Sequence, residues 1–359
     1  MREREIALLR LNNQGLATSP FESAGEAVRW LGAVQSQEPI LARWSVAQRC
    51  ARAAPELVNR AIADGTILRT HVLRPTWHFV HRDDIRWLLD LTAPRILGMA
   101  AHRLRELALD AHTLSRGVDA IVAALAGGGE LTRRQLAAVL EQAGIATTGQ
   151  RLVHILMHAE LSGVICGGAP QGRHNTYAML DVRAPDSTWL PHDEALAELT
   201  VRYFVSRGPA TATDFRWWSS LPMSDVKRGI AMAGTELERL ELDGRVHYHR
   251  PAETHVPDSS PALLIQEFDE YLVGYTESRG VCDVARVLGP ATTLTRAMLV
   301  NGQVAGRWRR GRDGRIEIER LRALDEPAER AVLEAAERCG EFLGALQALP
   351  VPADSGATA

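Results

Sequence analysis

The sequence predicts an α+β protein. Three tandem winged-helix modules, over residues 1–95, 96–190 and 191–260, are followed by a β-rich C-terminal subdomain over 261–359. Three observations carry this expectation. Thr132 with Gln135, and Thr211 with Asp214, have the spacing at which two side chains cap a helix start reciprocally, and these starts lie 79 residues apart. The helix starts that follow, at Thr147 and Ser224, lie 77 apart, so a whole module repeats. Each helical stretch then gives way to strand material, in the order helix, helix, helix, hairpin that defines a winged helix.

Taken in order, the first module opens with an amphipathic helix, Glu5 to Asn12. Ser23 and Glu26 have capping-box spacing, and Ala27, Trp30, Leu31 and Val34 recur at helical intervals, which predicts a helix from Ser23 to Val34. Pro55 suits the first position of a further helix, which Asp64-Gly65 ends, and a β-rich run follows from Thr66 to Val80. In the second module a helix near Val118 to Ala126 stops at Gly127-Gly128-Gly129, Thr132 opens the next, and Thr147 with Gln150 opens the third, which closes at Gly163. Val164 to Cys166 and Thr176 to Leu180 read as two strands joined by a glycine-containing loop. The third module repeats this with helices from Asp193 to Ser206, after Thr211 and after Ser224, and strand material at Arg245 to His249. From Pro261 the pattern turns to β: Leu263 to Ile265, Tyr271 to Tyr275, Ala297 to Val304, and a hairpin about Arg312-Asp313-Gly314. A closing helix runs from Pro327 to Leu349, and Pro350 to Ala359 is expected to be a loose tail.

The first module departs from the others in one respect. Ser23 and Pro55 stand 32 residues apart where the later modules need 15 and 13, and the excess contains Gln35-Ser36-Gln37-Glu38-Pro39. Pro39 disfavours the α region for Glu38, so Gln35 and Gln37 are expected in irregular or extended backbone. In extended backbone, residues two apart share a face, and both amides aim at one target while Ser36 and Glu38 point the other way. A glutamine offers a carbonyl acceptor and an amide donor but takes up no proton near neutral pH, so this pair is not a general base. It is suited to stabilising developing positive charge and to holding a water.

Composition bounds the alternatives. At 46% hydrophobic and 24% charged, 359 residues make an ordinary globular chain with no apolar run long enough to span a bilayer and no signal peptide, so a cytoplasmic protein is expected. Cys50, Cys166, Cys282 and Cys339 are scattered without metal-ligand spacing, and reduced, buried thiols are expected. Neither a metal nor a cofactor is suggested: phosphate loops, metal-ligand clusters and Ser-His-Asp constellations are absent. The net charge of −3 argues against a uniformly basic nucleic-acid binder, but every basic residue except Lys227 is arginine, and the distribution of that charge then decides. It is densest from Arg307 to Arg315, where Asp313-Gly314 signals a hairpin turn. Alternation puts Arg307 and Arg309 on one face and Trp308 with Arg310 on the other, either touching DNA backbone or paired with Glu317 and Glu319 across the strands.

Several motifs, met in order, carry a resemblance. Leu11 with Gln14-Gly15-Leu16, Val34-Gln35-Ser36-Gln37, Trp44-Ser45 with Arg49, and Arg74-Pro75-Thr76-Trp77-His78 lie in the first module. Glu267-Phe268-Asp269-Glu270-Tyr271-Leu272, Asn301-Gly302-Gln303 and Trp308-Arg309-Arg310 lie near the C-terminus. Together they resemble the bacterial AlkZ-like and YcaQ-like winged-helix DNA glycosylases that unhook interstrand crosslinks. The resemblance implies excision of bulky or crosslinked N-alkylpurines of the N7-alkylguanine type from double-stranded DNA by a monomer, with Gln35 and Gln37 as the catalytic pair. Ser36 stands where that family has an aliphatic residue, and the double-glutamine form resembles the branch linked to self-resistance against DNA-alkylating natural products. Arg74, His78, Arg307, Arg309 and Arg310 are the expected DNA contacts. Asp269-Glu270 is expected to hold a turn or an arginine, and Trp217-Trp218 to be core. A second reading stays open at this point, because tandem winged helices are as natural in a non-catalytic DNA-binding protein, whether a regulator or a drug-sequestering resistance factor.

Overall fold

In the computed structural model the chain is described over residues 3–172, 174–251, 262–283, 287 and 295–348. After α1 (Glu3–Asn13) come three units of one design: a helix, a short strand, two helices and a hairpin. The first consists of α2 (Ala24–Leu31), β1 (Val34–Gln35), α3 (Pro39–Ala47), α4 (Pro55–Ala63), β2 (Ile67–Val72) and β3 (Arg74–His81). A 22-residue helix, α5 (Ile85–Glu106), leads to the second: α6 (Ala111–Leu125), β4 (Leu131–Thr132), α7 (Arg133–Gln142), α8 (Arg151–Leu161), β5 (Ile165–Gly167) and β6 (Thr176–Met179). After α9 (Leu180–Arg183) the third has α10 (His192–Arg207), β7 (Ala210–Thr211), α11 (Ala212–Ser219), α12 (Met223–Ala233), β8 (Glu238–Leu242) and β9 (Arg245–His249). Each unit closes an antiparallel sheet with its last strand in the middle, β1-β3-β2, β4-β6-β5 and β7-β9-β8. The remaining chain forms β10 (Leu263–Ile265), the short α13 (Glu270–Val273), and β11 (Ala297–Val300), β12 (Gln303–Arg310) and β13 (Ile316–Arg320). These strands make a four-stranded sheet in chain order, on which α14 (Glu326–Ala348) packs.

Both reciprocal caps form, at Thr132 with Gln135 and at Thr211 with Asp214. The expected boundary at residues 95 and 96 does not exist as a break, since it falls inside α5. Thr147 caps nothing: its hydroxyl bonds the Glu141 carboxylate, and α8 starts at Arg151. The expected strand from Tyr271 to Tyr275 is instead one helical turn, because the Asp269 carboxylate accepts the Tyr271 amide and starts a helix. Ala297 to Val304 is two strands, since Asn301 and Gly302 both take positive φ and make the two-residue turn that an antiparallel hairpin prefers. Pro261 and the C-terminal tail lie outside the described residues.

The first unit also differs from its expected layout. Gly32, at φ 73°, stops α2 at Leu31, and Pro39 opens α3, where a missing amide hydrogen costs nothing. β4 and β7 run straight into α7 and α11, whereas β1 is separated from α3 by residues 36–38. The extra chain is therefore these three residues and not the long stretch from Ser23, which caps the preceding helix. The sheet β1-β3-β2 is covered on both sides. Leu68 and Val80 join a core shared with α5 and the third unit, while Val34 and Phe79 join one shared with the C-terminal sheet and α14. Gln35, Thr70, His71 and His78 on this sheet are consequently buried, and Arg69, Arg74 and Thr76 partly so.

Candidate active site

Gln35 lies on β1 directly across from His78 of β3, and Thr70 of β2 faces His78 on the other side. Alternation places Arg74 and Thr76 on the same face. Arg74 donates to the Gln35 side-chain oxygen at 2.8 Å, so the charged guanidinium orients that amide. Gln37 lies beyond the strand end and its side-chain oxygen is buried without a partner. Four further buried polar atoms on this face also lack partners: Thr70 Oγ1, Arg74 Nε, Thr76 Oγ1 and His78 Nε2. His78 Nδ1 lies 3.0 Å from the Thr76 carbonyl, an acceptor, so the network assigns its proton to Nδ1 and leaves Nε2 a lone pair. Burial, with the Arg74 charge adding to it, holds this imidazole well below its ordinary value, so it is neutral. Leaving a polar atom buried and unpaired costs about 1–3 kcal/mol. These atoms are grouped beside the end of β1.

The strand is held by residues far away in sequence. Glu270, fully buried, accepts the Gln35 backbone amide at 2.9 Å through one oxygen. Its other oxygen takes Arg207 at 2.7 Å and the Trp218 indole at 2.7 Å. Its neighbour Asp269 grips Arg49 through two bonds, at 2.8 and 3.0 Å, and Arg49 also bonds the Gln14 side chain. Burial raises the Asp269 carboxyl, but the Arg49 charge and bonds outweigh it and bring it below its ordinary value. On the other side of the stretch, Arg69 donates through Nε and Nη2 to the Ser36 carbonyl and lies 4.4 Å over the Trp77 ring. The Ser36 hydroxyl is buried without a partner, whereas Glu38 is exposed.

Sequence reasoning brought the glutamines and Asp269-Glu270 to notice, and two of its expected DNA contacts, Arg74 and His78, lie beside the glutamines. Arg74 is half-buried and bound to Gln35, and His78 is fully buried, because both sides of their sheet are covered. Both support the glutamine stretch. The hairpin forms as expected, with a three-residue loop between Gly311 and Arg315 and Gly314 at φ 84°. Trp308 is buried in the core, while Arg309 is exposed and paired across the strands with Glu317 at 2.5 Å. Arg307 lies across from Glu319, and Arg310 Nε bonds the Gly314 carbonyl at 3.2 Å. Sequence reasoning missed Thr70, Arg69 and Arg207. The first two sit in β2, whose register no local signal reveals. Trp218 is core, as expected, and Trp217 is half exposed.

The chain is 26% identical over 296 residues, 76% of each protein, to an interstrand DNA cross-link repair glycosylase of Streptomyces sahachiroi. Its fold superposes on the solved structure of the Streptomyces sahachiroi DNA glycosylase AlkZ with a TM-score of 0.80, at 22% identity, over 96% of this chain and 97% of that one. The family model for AlkZ-like DNA glycosylases matches residues 28–342, which take in the glutamine stretch, the first unit from within α2, the second and third units and the C-terminal sheet, and the chain thus belongs to the AlkZ-like family of DNA glycosylases.

Proposed function

We propose that this glycosylase hydrolyses the N-glycosidic bond of bulky or crosslinked N-alkylpurines of the N7-alkylguanine type in double-stranded DNA, with Gln37 and Gln35 as its catalytic pair. The observation that carries this is the difference between the two amides. Gln35 is locked by Arg74 and, through its backbone, by Glu270, whereas the Gln37 oxygen is buried and unpartnered. An N7-alkylated guanine already carries positive charge and leaves as a neutral base, so the site need not protonate it. What remains is an oxocarbenium-like sugar to stabilise and a water to hold against it. Preorganised amide dipoles supply both without titrating. The neutral His78 and the hydroxyls of Thr70 and Thr76 extend the amide pair into a polar wall and add no charge to that of Arg74, whose guanidinium is turned onto the Gln35 oxygen.

The three repeated units are read as winged-helix modules that place duplex DNA against this wall, and the protein works as a monomer in the cytoplasm. Supporting the module reading is the strand order common to all three sheets. The second glutamine of the pair supports a role in self-resistance to a DNA-alkylating natural product. The test is single-turnover incubation with oligonucleotides carrying one N7-alkylguanine or one defined crosslink. Release of free modified base, leaving an abasic site whatever the flanking sequence, is expected. Sequence-selective binding without release would instead mark a regulator.

A further inference from the structure

We propose that the cleft between the first and second units, on the Ser36 side of the glutamine stretch, binds the phosphodiester backbone of DNA through Arg133 and Arg134. This rests on the DNA glycosylase reading above and adds to it a second anchoring point, distinct from the hairpin. The cleft has a volume of about 710 Å³ and is lined by Pro39, Arg69 and Trp77 of the first unit and by Arg133, Arg134 and His174, among others, of the second. Its lining holds three arginines and no carboxylate.

Charge compensation separates this surface from the hairpin. Arg309 is already paired with Glu317, and the hollows around the hairpin are lined by Asp313, Glu317 and Glu319 as well as arginines. Arg133 and Arg134 are exposed and, among the described residues, have no acidic side chain within ion-pair range. They occupy the first two positions of α7, a ten-residue helix whose positive end adds to their field. The Trp77 indole nitrogen, a donor only, is buried without a partner in the same lining. Guanidinium forks, an indole donor and a helix N-terminus, with no carboxylate in the lining, suit an anion with several oxygens, and arginine matches phosphate geometry through two parallel bonds.

Position connects the cleft to the chemistry. Arg69 lines it and at the same time holds the carbonyl of Ser36, the residue between the two glutamines. A strand whose phosphates lie on Arg133 and Arg134 passes directly beside that loop. The arrangement assigns the two α7 arginines to positioning: they set where the duplex lies and take no part in the bond cleavage.

The test uses the full-length protein with Arg133→Ala and Arg134→Ala together, both exposed and outside the glutamine network. Binding to an undamaged duplex is measured over a salt series, and single-turnover base release from an N7-methylguanine duplex at saturating protein. Losing two phosphate contacts should lower the log-log salt slope by about 1.8. Release at saturation should stay within about twofold of wild type, as expected for a loss of uniform binding. The lysine double variant should restore the slope. An unchanged slope in the alanine variant overturns the proposal, as does displacement of the duplex by low-millimolar inorganic phosphate at fixed ionic strength, which would mark a small-anion site. Because the slope is read on undamaged DNA, it answers even if the wild type releases no base. Normal release with an unchanged slope defeats this proposal alone.

Discussion

Gln37 and Gln35 stand at the residue scale with unequal environments, and their substitutions test the chemistry directly. Gln37→Ala removes the unpartnered oxygen, and Gln35→Ala removes the amide that Arg74 orients. Each should cut single-turnover base release at least 100-fold, about 2.7 kcal/mol of transition-state stabilisation, while affinity for undamaged duplex changes little. Wild-type rates in both variants would make the pair structural. Uncharged amides beside a neutral His78 also predict that excision of a cationic lesion varies little between about pH 6 and 8. A steep acidic limb that disappears in Glu38→Gln would transfer the role of base to Glu38. Ser36 supplies a third check, since its hydroxyl is buried without a partner at a position where the family has an aliphatic side chain. Removing such a group relieves its desolvation penalty, so Ser36→Ala should leave stability unchanged or raise it by about 1 kcal/mol in a denaturant titration. A loss above that size would mean that the hydroxyl is bonded in solution.

At the scale of elements, the hairpin and the loop before α3 show how local signals become a site. Asp313-Gly314 marks the turn, and strand alternation sorts Trp308 into the core and Arg309 to the surface. The charge of Arg309 is nonetheless half spent, because Glu317 holds it. Arg309→Ala with Arg310→Ala should therefore weaken duplex binding and flatten its salt slope by no more than about one unit, without changing which lesion is preferred. A larger drop would show that DNA displaces Glu317, and none would confine the hairpin to a structural role. In the first unit, Pro39 was legible as punctuation, but not that Gly32 already stops the helix at Leu31 or that Pro39 begins another. Only the comparison of β1 with β4 and β7 reveals that residues 36–38 are the inserted segment.

Over the whole molecule, burial governs the response to acid. His78, His81, His154, His158 and His247 are all held below their ordinary value, in each case chiefly by desolvation. A histidine with a depressed folded-state value gives stability that is complete above its unfolded value and is lost as pH falls. Below about 6.5 the unfolded chain takes up protons that the folded chain refuses, so the melting temperature should be level from pH 8 to 7 and decline from about pH 6.5 downward. A melting temperature that held or rose on acidification to about pH 5.5 would contradict this burial pattern.

Much of the architecture was readable along the chain, because helix caps, turn dipeptides and alternation act within a few residues. They marked the repeat of helices and hairpin, the β-rich end, the arginine hairpin and the non-helical stretch that carries the glutamines, of which only Gln35 is in a strand. The four cysteines are buried free thiols, as their scattered spacing implied. What surrounds Gln35 was decided only in three dimensions. Glu270 reaches its backbone across 235 residues of sequence, Arg207 and Trp218 hold Glu270 from another unit, and Arg74 and His78 are turned inward because two cores close over both faces of one sheet. Local propensity sets the backbone path of a segment. Which polar groups meet depends on strand register and on the packing of distant apolar faces, and those are settled by the free energy of the assembled chain.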